Sequence, residues 1–153
     1  MTVTTTSVTG PKPTVLPVLL VDTSTWSLAF RRDSVESLPE VVALRSALAA
    51  GDDVVVTGLI VQELLQGFAG PKQRDLLLDQ FRHLRTLTPK RGDHELAADL
   101  HKACRRGGVQ LGTVDALLAA LCVAHRCTML TNDRDFHHAA RFIDLEVWTP
   151  PTT

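Results

Sequence analysis

The stretch Val18–Trp26, with the sequence VLLVDTSTW, joins four consecutive apolar residues to an acid, three hydroxyl residues and a tryptophan. A short apolar run without alternation is typical of a strand that is covered on both faces. Asp22 follows this strand directly. In open α/β sheets, ligands bind beyond the carboxyl ends of the strands, so Asp22 lies where chemistry is expected. It also has an ordinary structural explanation, because Asp22 or Ser24 could cap the next helix.

Similar apolar runs recur along the chain and alternate with helical patterns, which indicates parallel βαβ units. Further strands are predicted at Val54–Val56, Thr128–Leu130 and Leu145–Trp148, and a weaker one at Arg85–Thr88. Helices are predicted at Pro39–Ala50, Leu59–Phe68, Lys72–Leu84, Asp93–Arg106 and Thr113–His125. The sequence therefore predicts an α/β fold with a mostly parallel central sheet of four or five strands.

Length and composition are those of a single globular domain of 153 residues, with 44% hydrophobic and 22% charged residues. We expect a flexible tail at residues 1–14 and one folded domain at 15–150. The apolar run Val15–Val21 is too short to span a membrane. The three cysteines lack a Cys-x-x-Cys spacing, and no secretory signal is present, so a cytoplasmic location is expected.

Three further acids lie near predicted element boundaries. Glu63 follows the second strand within a helix, Asp115 lies in the first turn of a helix that Thr113 could cap, and Asp133 follows the Thr128–Leu130 strand. Each has an ordinary role as a helix-surface acid, a partner of the helix dipole or a turn former. The right-handed βαβ crossover nevertheless brings all of these positions, with Asp22, to one edge of the sheet. Clustered carboxylates repel one another, and a divalent metal is the usual reason for such a cluster.

In the motifs around these acids, the chain resembles the PIN-domain ribonucleases and, more narrowly, the VapC toxins of bacterial toxin–antitoxin pairs. The resemblance covers residues 16–148 and rests on four short motifs in the family's order: Val21–Trp26, Gln62–Leu64, Val114–Ala119 and Leu130–Phe136. It implies a three-layer α/β/α sandwich that binds Mg²⁺, or Mn²⁺ as a substitute, and cleaves RNA. It also implies a homodimer and a cognate VapB-type antitoxin, in some cases within a larger assembly.

The resemblance gives the acids their roles. Asp22, Glu63, Asp115 and Asp133 take the family's catalytic and metal-binding positions, and we expect Asp22 and Asp115 to contact the principal metal. Supporting positions fall to Thr131, Ser24 and Asp135.

The formal net charge of −1 gives no overall basic signature for nucleic-acid binding. The residues best suited to phosphate contacts are basic ones near the predicted site, namely Arg31, Arg32, Lys72, Arg74 and Arg134.

Two other functions fit parts of the pattern. A haloacid-dehalogenase-like phosphatase also places an aspartate after its first strand, but it needs a second acid two residues later, where this chain has Ser24. A PIN-like module that has lost catalysis would keep the fold and bind no divalent ion.

Overall fold

The central sheet contains four short strands, seen in a computed structural model that describes residues 16–31, 38–68 and 70–152. The predicted tail at residues 1–14 and Arg32 lie outside the described residues. The strands are β1 (Leu19–Val21), β2 (Val54–Thr57), β3 (Arg85–Leu87) and β4 (Thr128–Leu130). All of them pair in parallel, in the order β3-β2-β1-β4. The predicted parallel α/β sheet is therefore confirmed, with four strands.

Strand β1 lies inside the sheet, between β2 and β4. Leu19 aligns with Val54 of β2 on one side and with Thr128 of β4 on the other. The chain adds β2 and β3 in one direction and then returns to place β4 on the opposite side of β1. The order of the strands thus reverses between β1 and β4, and ligands of open α/β sheets bind beyond the carboxyl ends of strands at such a reversal.

The prediction of a strand at Leu145–Trp148 is wrong. That segment makes one isolated parallel bridge, between Val147 and Met129. Two backbone hydrogen bonds hold it there, Met129 N to Glu146 O at 2.9 Å and Trp148 N to Met129 O at 2.8 Å. Pro150 and Pro151 come next and have no N–H to continue a ladder. The weaker prediction at Arg85–Thr88 corresponds instead to the real strand β3.

Seven helices are present within the described residues, on both sides of the sheet. They are α1 (Thr23–Phe30), α2 (Pro39–Ala50), α3 (Gly58–Gly67), α4 (Pro71–Arg82), α5 (Arg91–Arg106), α6 (Thr113–His125) and α7 (Arg134–Ala139). The bounds of α2 and α6 match the prediction, and those of α3, α4 and α5 agree within two residues. Helix α6 leads through a short turn into β4, so it runs back along the sheet and begins near the edge where β4 ends.

The core explains why the short strands are stable. Leu20, Val55 and Met129, one from each of three adjacent strands, are completely buried. They belong to a cluster that joins the sheet to α1, α3 and α6 through Trp26, Ile60 and Leu118. A second, smaller cluster lies between α5 and α6. Together the two clusters hold α1, α3, α6 and α7 against the sheet, with the first residues of these helices at one edge.

Candidate active site

Asp22 lies directly after β1, and three donors hold its carboxylate. The Ser24 hydroxyl donates to Oδ1 at 2.7 Å, the backbone N–H of Thr25 donates to the same oxygen at 3.3 Å, and the Thr131 hydroxyl donates to Oδ2 at 2.7 Å. Asp22 is only 5% exposed, so burial raises its pKa. The three hydrogen bonds oppose that rise, and the charge of Asp133 adds to it. Asp22 is also the N-cap of α1, which confirms the structural role that the sequence allowed it.

The segment Thr131–Asp133 follows β4 and completes this side of the site. Thr131 is fully buried, and its hydroxyl accepts from the backbone N–H of Asp133 at 2.9 Å while it donates to Asp22. Asp133 caps α7 by accepting from the backbone N–H of Asp135 at 2.9 Å. The Asp135 side chain is exposed in the first turn of α7. A single hydroxyl therefore links the carboxylate of Asp22 to the backbone of Asp133.

Asn132, in the middle of this segment, and its partners Thr25 and Glu40 were not singled out by sequence reasoning. Asn132 accepts from the Thr25 hydroxyl at 2.8 Å and donates through Nδ2 to Glu40 at 3.1 Å. Its backbone N–H donates to Ser24 Oγ at 3.1 Å. Asn132 stands inside the motif at Leu130–Phe136, but nothing in the sequence indicates that α2 supplies Glu40 as its partner.

Glu63 enters from α3, where it is exposed and lies in the second turn of the helix. The Thr23 hydroxyl, from the first residue of α1, donates to Glu63 Oε2 at 2.6 Å. Thr57 starts α3 by accepting from the N–H of Ile60 at 3.3 Å. Thr23 comes directly after Asp22, so this hydrogen bond holds Glu63 beside Asp22. Sequence reasoning missed this hydrogen bond as well.

Asp115 has a different environment. It is half-buried in the first turn of α6, and its pKa is raised to about 6. Burial is the largest cause, followed by the negative charges of Asp133, Asp22, Glu63 and Asp135. The residue before α6 that acts as N-cap is Gly112 and not Thr113 as predicted, because the helix begins one residue earlier than a Thr113 cap requires. These mutual charge effects are the direct sign that the four predicted acids share one region.

The donor set suits a hard divalent cation. The four acids supply carboxylate oxygens, and Mg²⁺ prefers oxygen ligands and retains several waters. Within residues 16–31, 38–68 and 70–152, however, no three His, Cys, Asp or Glu side chains converge tightly enough to form a closed ligand set. The four acids therefore lie close enough to repel one another but do not form a closed set of ligands.

The basic residues predicted to contact phosphate lie on several elements, and those within the described residues are exposed. Arg31 is exposed just after α1, Lys72 and Arg74 are exposed in the first turns of α4, and Arg134 is exposed at the start of α7. Among the described residues no helix is long and apolar enough to cross a membrane.

Comparison with known proteins agrees with this geometry. The family model of the PIN domain matches residues 19–142. The VapC ribonuclease Mb1587 of Mycobacterium bovis is 30% identical over 131 residues, which cover 84% of this chain and 96% of that protein.

Solved structures share the fold at lower identity. VapBC2 from Rickettsia felis, bound to a DNA fragment from its promoter, has a TM-score of 0.67 and 18% identity, and the match covers 85% of this chain and 96% of that one. VapC20 of Mycobacterium tuberculosis, described as a toxin that cleaves the sarcin-ricin loop, has a TM-score of 0.61 and 17% identity, covering 83% and 98%. The chain therefore belongs to the PIN domain family and, within it, to the VapC ribonucleases.

Proposed function

We propose that this chain is a metal-dependent endoribonuclease, the toxin of a toxin–antitoxin pair, whose active-site acids are Asp22, Glu63, Asp115 and Asp133. One observation carries the assignment of the acids. The pKa of Asp115 is raised to about 6 by burial and by the charges of the other three together with Asp135. Acids from four separate parts of the chain therefore lie close enough to repel one another, and the family's chemistry gives a reason for this costly arrangement.

Mg²⁺, or Mn²⁺ in its place, is the cation that the donor set suits, with Asp22 and Asp115 as its principal protein ligands and Glu63 and Asp133 acting directly or through water. When bound, such an ion supplies water activation and neutralises charge on the scissile phosphate.

The chain's own residues prepare the site for this ion. The hydroxyl protons of Ser24 and Thr131 point at the two oxygens of Asp22, and donors in that arrangement favour the ionised carboxylate. Asp115, with its pKa near 6, is ionised in most molecules at pH 7.5 and holds a proton in acid. Thr23 holds Glu63 through Oε2, and we assign Oε1 to a ligand or a water.

RNA is the substrate in this proposal, and its backbone needs cationic partners around an acidic centre. The exposed Arg31, Lys72, Arg74 and Arg134 are the described residues that we assign to phosphate contacts, and Arg32 completes the set from outside the described residues. Phosphate contacts position the nucleic acid without reading its sequence. Substitution of these basic residues by alanine should therefore weaken binding to many RNAs alike, and the salt dependence of binding measures their number.

The decisive experiment compares wild type with Asp22→Asn on total RNA and on short synthetic RNAs, with Mg²⁺, with Mn²⁺ or with EDTA. We expect cleavage by wild type with either ion and none by Asp22→Asn. A ligand present at about 100 times its Kd stabilises the folded state by roughly 2.7 kcal/mol, so each ion should also raise the Tm of wild type by several degrees and that of Asp22→Asn by much less.

Asp79→Asn is the matched control. It makes the same change at an exposed residue of α4, whose contact is a surface ion pair with Arg82 at 3.3 Å. Cleavage by Asp22→Asn at the wild-type rate would remove the mechanism. Absence of both cleavage and ion-dependent stabilisation in wild type would favour a non-catalytic PIN-like module, and hydrolysis of aryl phosphates with intact RNA would favour a phosphatase.

The partners in this proposal are a VapB-type antitoxin and a second copy of the chain. An antitoxin side chain with a positive charge would complement the four acids. The homodimer is proposed from the resemblance to the VapC toxins. Light scattering of the chain alone and of the co-expressed pair measures both associations.

A further inference from the structure

Asn132 connects the β4–α7 turn to α1 and α2, which lie far from it in the sequence. Its Oδ1 accepts from Thr25 in α1 at 2.8 Å, its Nδ2 donates to Glu40 in α2 at 3.1 Å, and its backbone N–H donates to Ser24 Oγ at 3.1 Å. These partners are 107, 92 and 108 residues away along the chain. The β4–α7 connection is thus attached to both α1 and α2 at one residue.

Glu40 determines which way the amide of Asn132 faces. An ionised carboxylate can only accept hydrogen bonds, so the NH₂ group of Asn132 must face Glu40. The amide oxygen then faces Thr25, whose hydroxyl must donate. Without Glu40 the amide could turn over, because the Thr25 hydroxyl can accept from NH₂ as well as donate to oxygen.

Two short series of hydrogen bonds connect Asn132 and its neighbours to the active-site acids. Ser24 accepts from the Asn132 backbone and donates its own proton to Asp22 Oδ1. On either side of Asn132 in the sequence, Thr131 donates to Asp22 and Asp133 donates its N–H to Thr131. The position of Asn132 therefore fixes the spacing between Asp22 and Asp133.

We propose that Glu40 and Asn132 are positioning residues of the active site, with Glu40 orienting Asn132 and Asn132 holding residues 131–133 against Asp22. This inference rests on the proposed function, in which Asp22 and Asp133 act together. Asn132 reaches Asp22 through Ser24, and Glu40 is one contact further away. Groups hydrogen-bonded directly to metal ligands typically change metal affinity or activity by about 10–100-fold when they are mutated, so we expect effects near the lower end of that range here.

The test uses Glu40→Ala, Asn132→Asp and the double variant Asn132→Asp with Glu40→Gln in the full chain. Asn132→Asp keeps the acceptor for Thr25 but places a carboxylate opposite Glu40, so the two repel. The double variant restores the bridge with the donor and acceptor exchanged, since the new glutamine amide donates to the new carboxylate. It also keeps the net charge of the wild type. Glu95→Ala is the control, because Glu95 is exposed and forms a surface ion pair with Arg91 at 3.4 Å.

Two measurements are made on each variant. In EDTA, hydrogen exchange of the Asp133 backbone amide reports whether the segment is held without any cation. With Mn²⁺, kcat and KM for a short RNA report positioning. We expect Glu40→Ala and Asn132→Asp to speed exchange at Asp133 and to lower kcat about tenfold or more, with KM changed less than about twofold. The double variant should recover most of both losses, and Glu95→Ala should match wild type.

The outcomes separate this inference from the function on which it rests. If wild type cleaves RNA but Glu40→Ala keeps its kcat and its Asp133 exchange rate, Glu40 does not position the site. If the double variant is as defective as Asn132→Asp, the orientation of the amide is not what matters. If wild type cleaves no RNA, the proposed function fails, and the exchange data in EDTA still decide whether Glu40 and Asn132 hold the segment.

Discussion

Asp22 and Asp115 are proposed to share one metal ion, yet the protein holds them in opposite ways. Asp22 is almost completely buried at the β1–α1 junction, and three donors from Ser24, Thr25 and Thr131 surround its carboxylate. Asp115 is half-buried at the start of α6, and its surroundings act on it through burial and through like charges, which raise its pKa to about 6. Hydrogen bonds hold one acid in place, whereas burial and like charges disfavour the charged form of the other.

The difference follows from where each residue lies in the fold. The β1–α1 and β4–α7 junctions are neighbours because β1 and β4 pair in the sheet, so their hydroxyls and amides interlock. Asp115 lies on α6, a helix that packs on the sheet and on α5. The residues between α5 and α6 include small apolar side chains such as Ala97 and Ala116. Polar anchoring is therefore concentrated on the Asp22 side of the site, while more of the like charges act on Asp115.

The largest effect on stability is expected from breaking the anchored side. Thr131→Val keeps the shape of the side chain but removes the hydroxyl that donates to Asp22 and accepts from the Asp133 N–H. Because Thr131 is fully buried, both partners lose a hydrogen bond that water cannot easily replace. Leaving buried polar groups unpaired costs about 1–3 kcal/mol each, so we expect a loss of about 2–3 kcal/mol in urea unfolding in EDTA.

Thr57→Val is the comparison for this substitution. Thr57 is also fully buried, but its hydroxyl accepts a single hydrogen bond, from the Ile60 N–H at the start of α3. Loss of this N-cap should cost about 1 kcal/mol. Equal losses for the two variants, or a Thr131→Val protein as stable as wild type, would show that Thr131 does not anchor Asp22.

The anchored side also shows what the sequence could and could not predict. Asp22 and Asp133 were found because each follows an apolar run, and strand ends in a parallel sheet lie at one edge. The bridge from Asn132 to Glu40 was not found, because it spans 92 residues and depends on where α2 packs.

Elements at the margin of the sheet were the least predictable. Leu145–Trp148 has the composition of a strand, but its pairing stops after one bridge at Val147. Arg85–Leu87 looks weak because Arg85 and Thr86 are exposed, yet it pairs along its whole length with β2. Pairing at a sheet edge depends on the neighbouring strand and on the residues that continue the chain, such as a proline, and neither is encoded in the apolar pattern.

A smaller effect on stability, of opposite sign, is expected at Asp115. The pKa of Asp115 is raised to about 6 in the folded protein, against about 4 for an unfolded chain. The folded state therefore binds a proton that the unfolded state has already released between these values, and it loses relative stability as the pH rises through this window. Asp115→Asn has no such charge, so in EDTA it should be more stable than wild type at pH 7.5 and equal to it near pH 4.

The gain should be about 1 kcal/mol. One pKa unit corresponds to about 1.4 kcal/mol, but water screens a half-exposed carboxylate, and the variant gives up the roughly 0.3–1 kcal/mol by which an acid in the first turn favours a helix. Urea unfolding at pH 4, 5, 6 and 7.5 measures the difference. A variant that is less stable than wild type at pH 7.5 would mean that the acids do not repel one another as described. Saturating Mn²⁺ should reverse the order, because the ion stabilises only the protein that retains its ligand.

The smallest effect is expected beside Asp115, at Gly112. A methyl group there would lie 3.9 Å from Asp115 Oδ2, which is ordinary van der Waals contact, and the φ of −64° suits any residue. Alanine is a poorer N-cap than glycine but restricts the unfolded chain, and these effects oppose each other. Gly112→Ala should therefore change the free energy of unfolding by about 0.5 kcal/mol or less, in contrast to Thr131→Val. A loss above about 1.5 kcal/mol in the same urea titration would show that the start of α6 is as tightly constrained as the β4–α7 junction, and the contrast between Asp22 and Asp115 would then lie in charge alone.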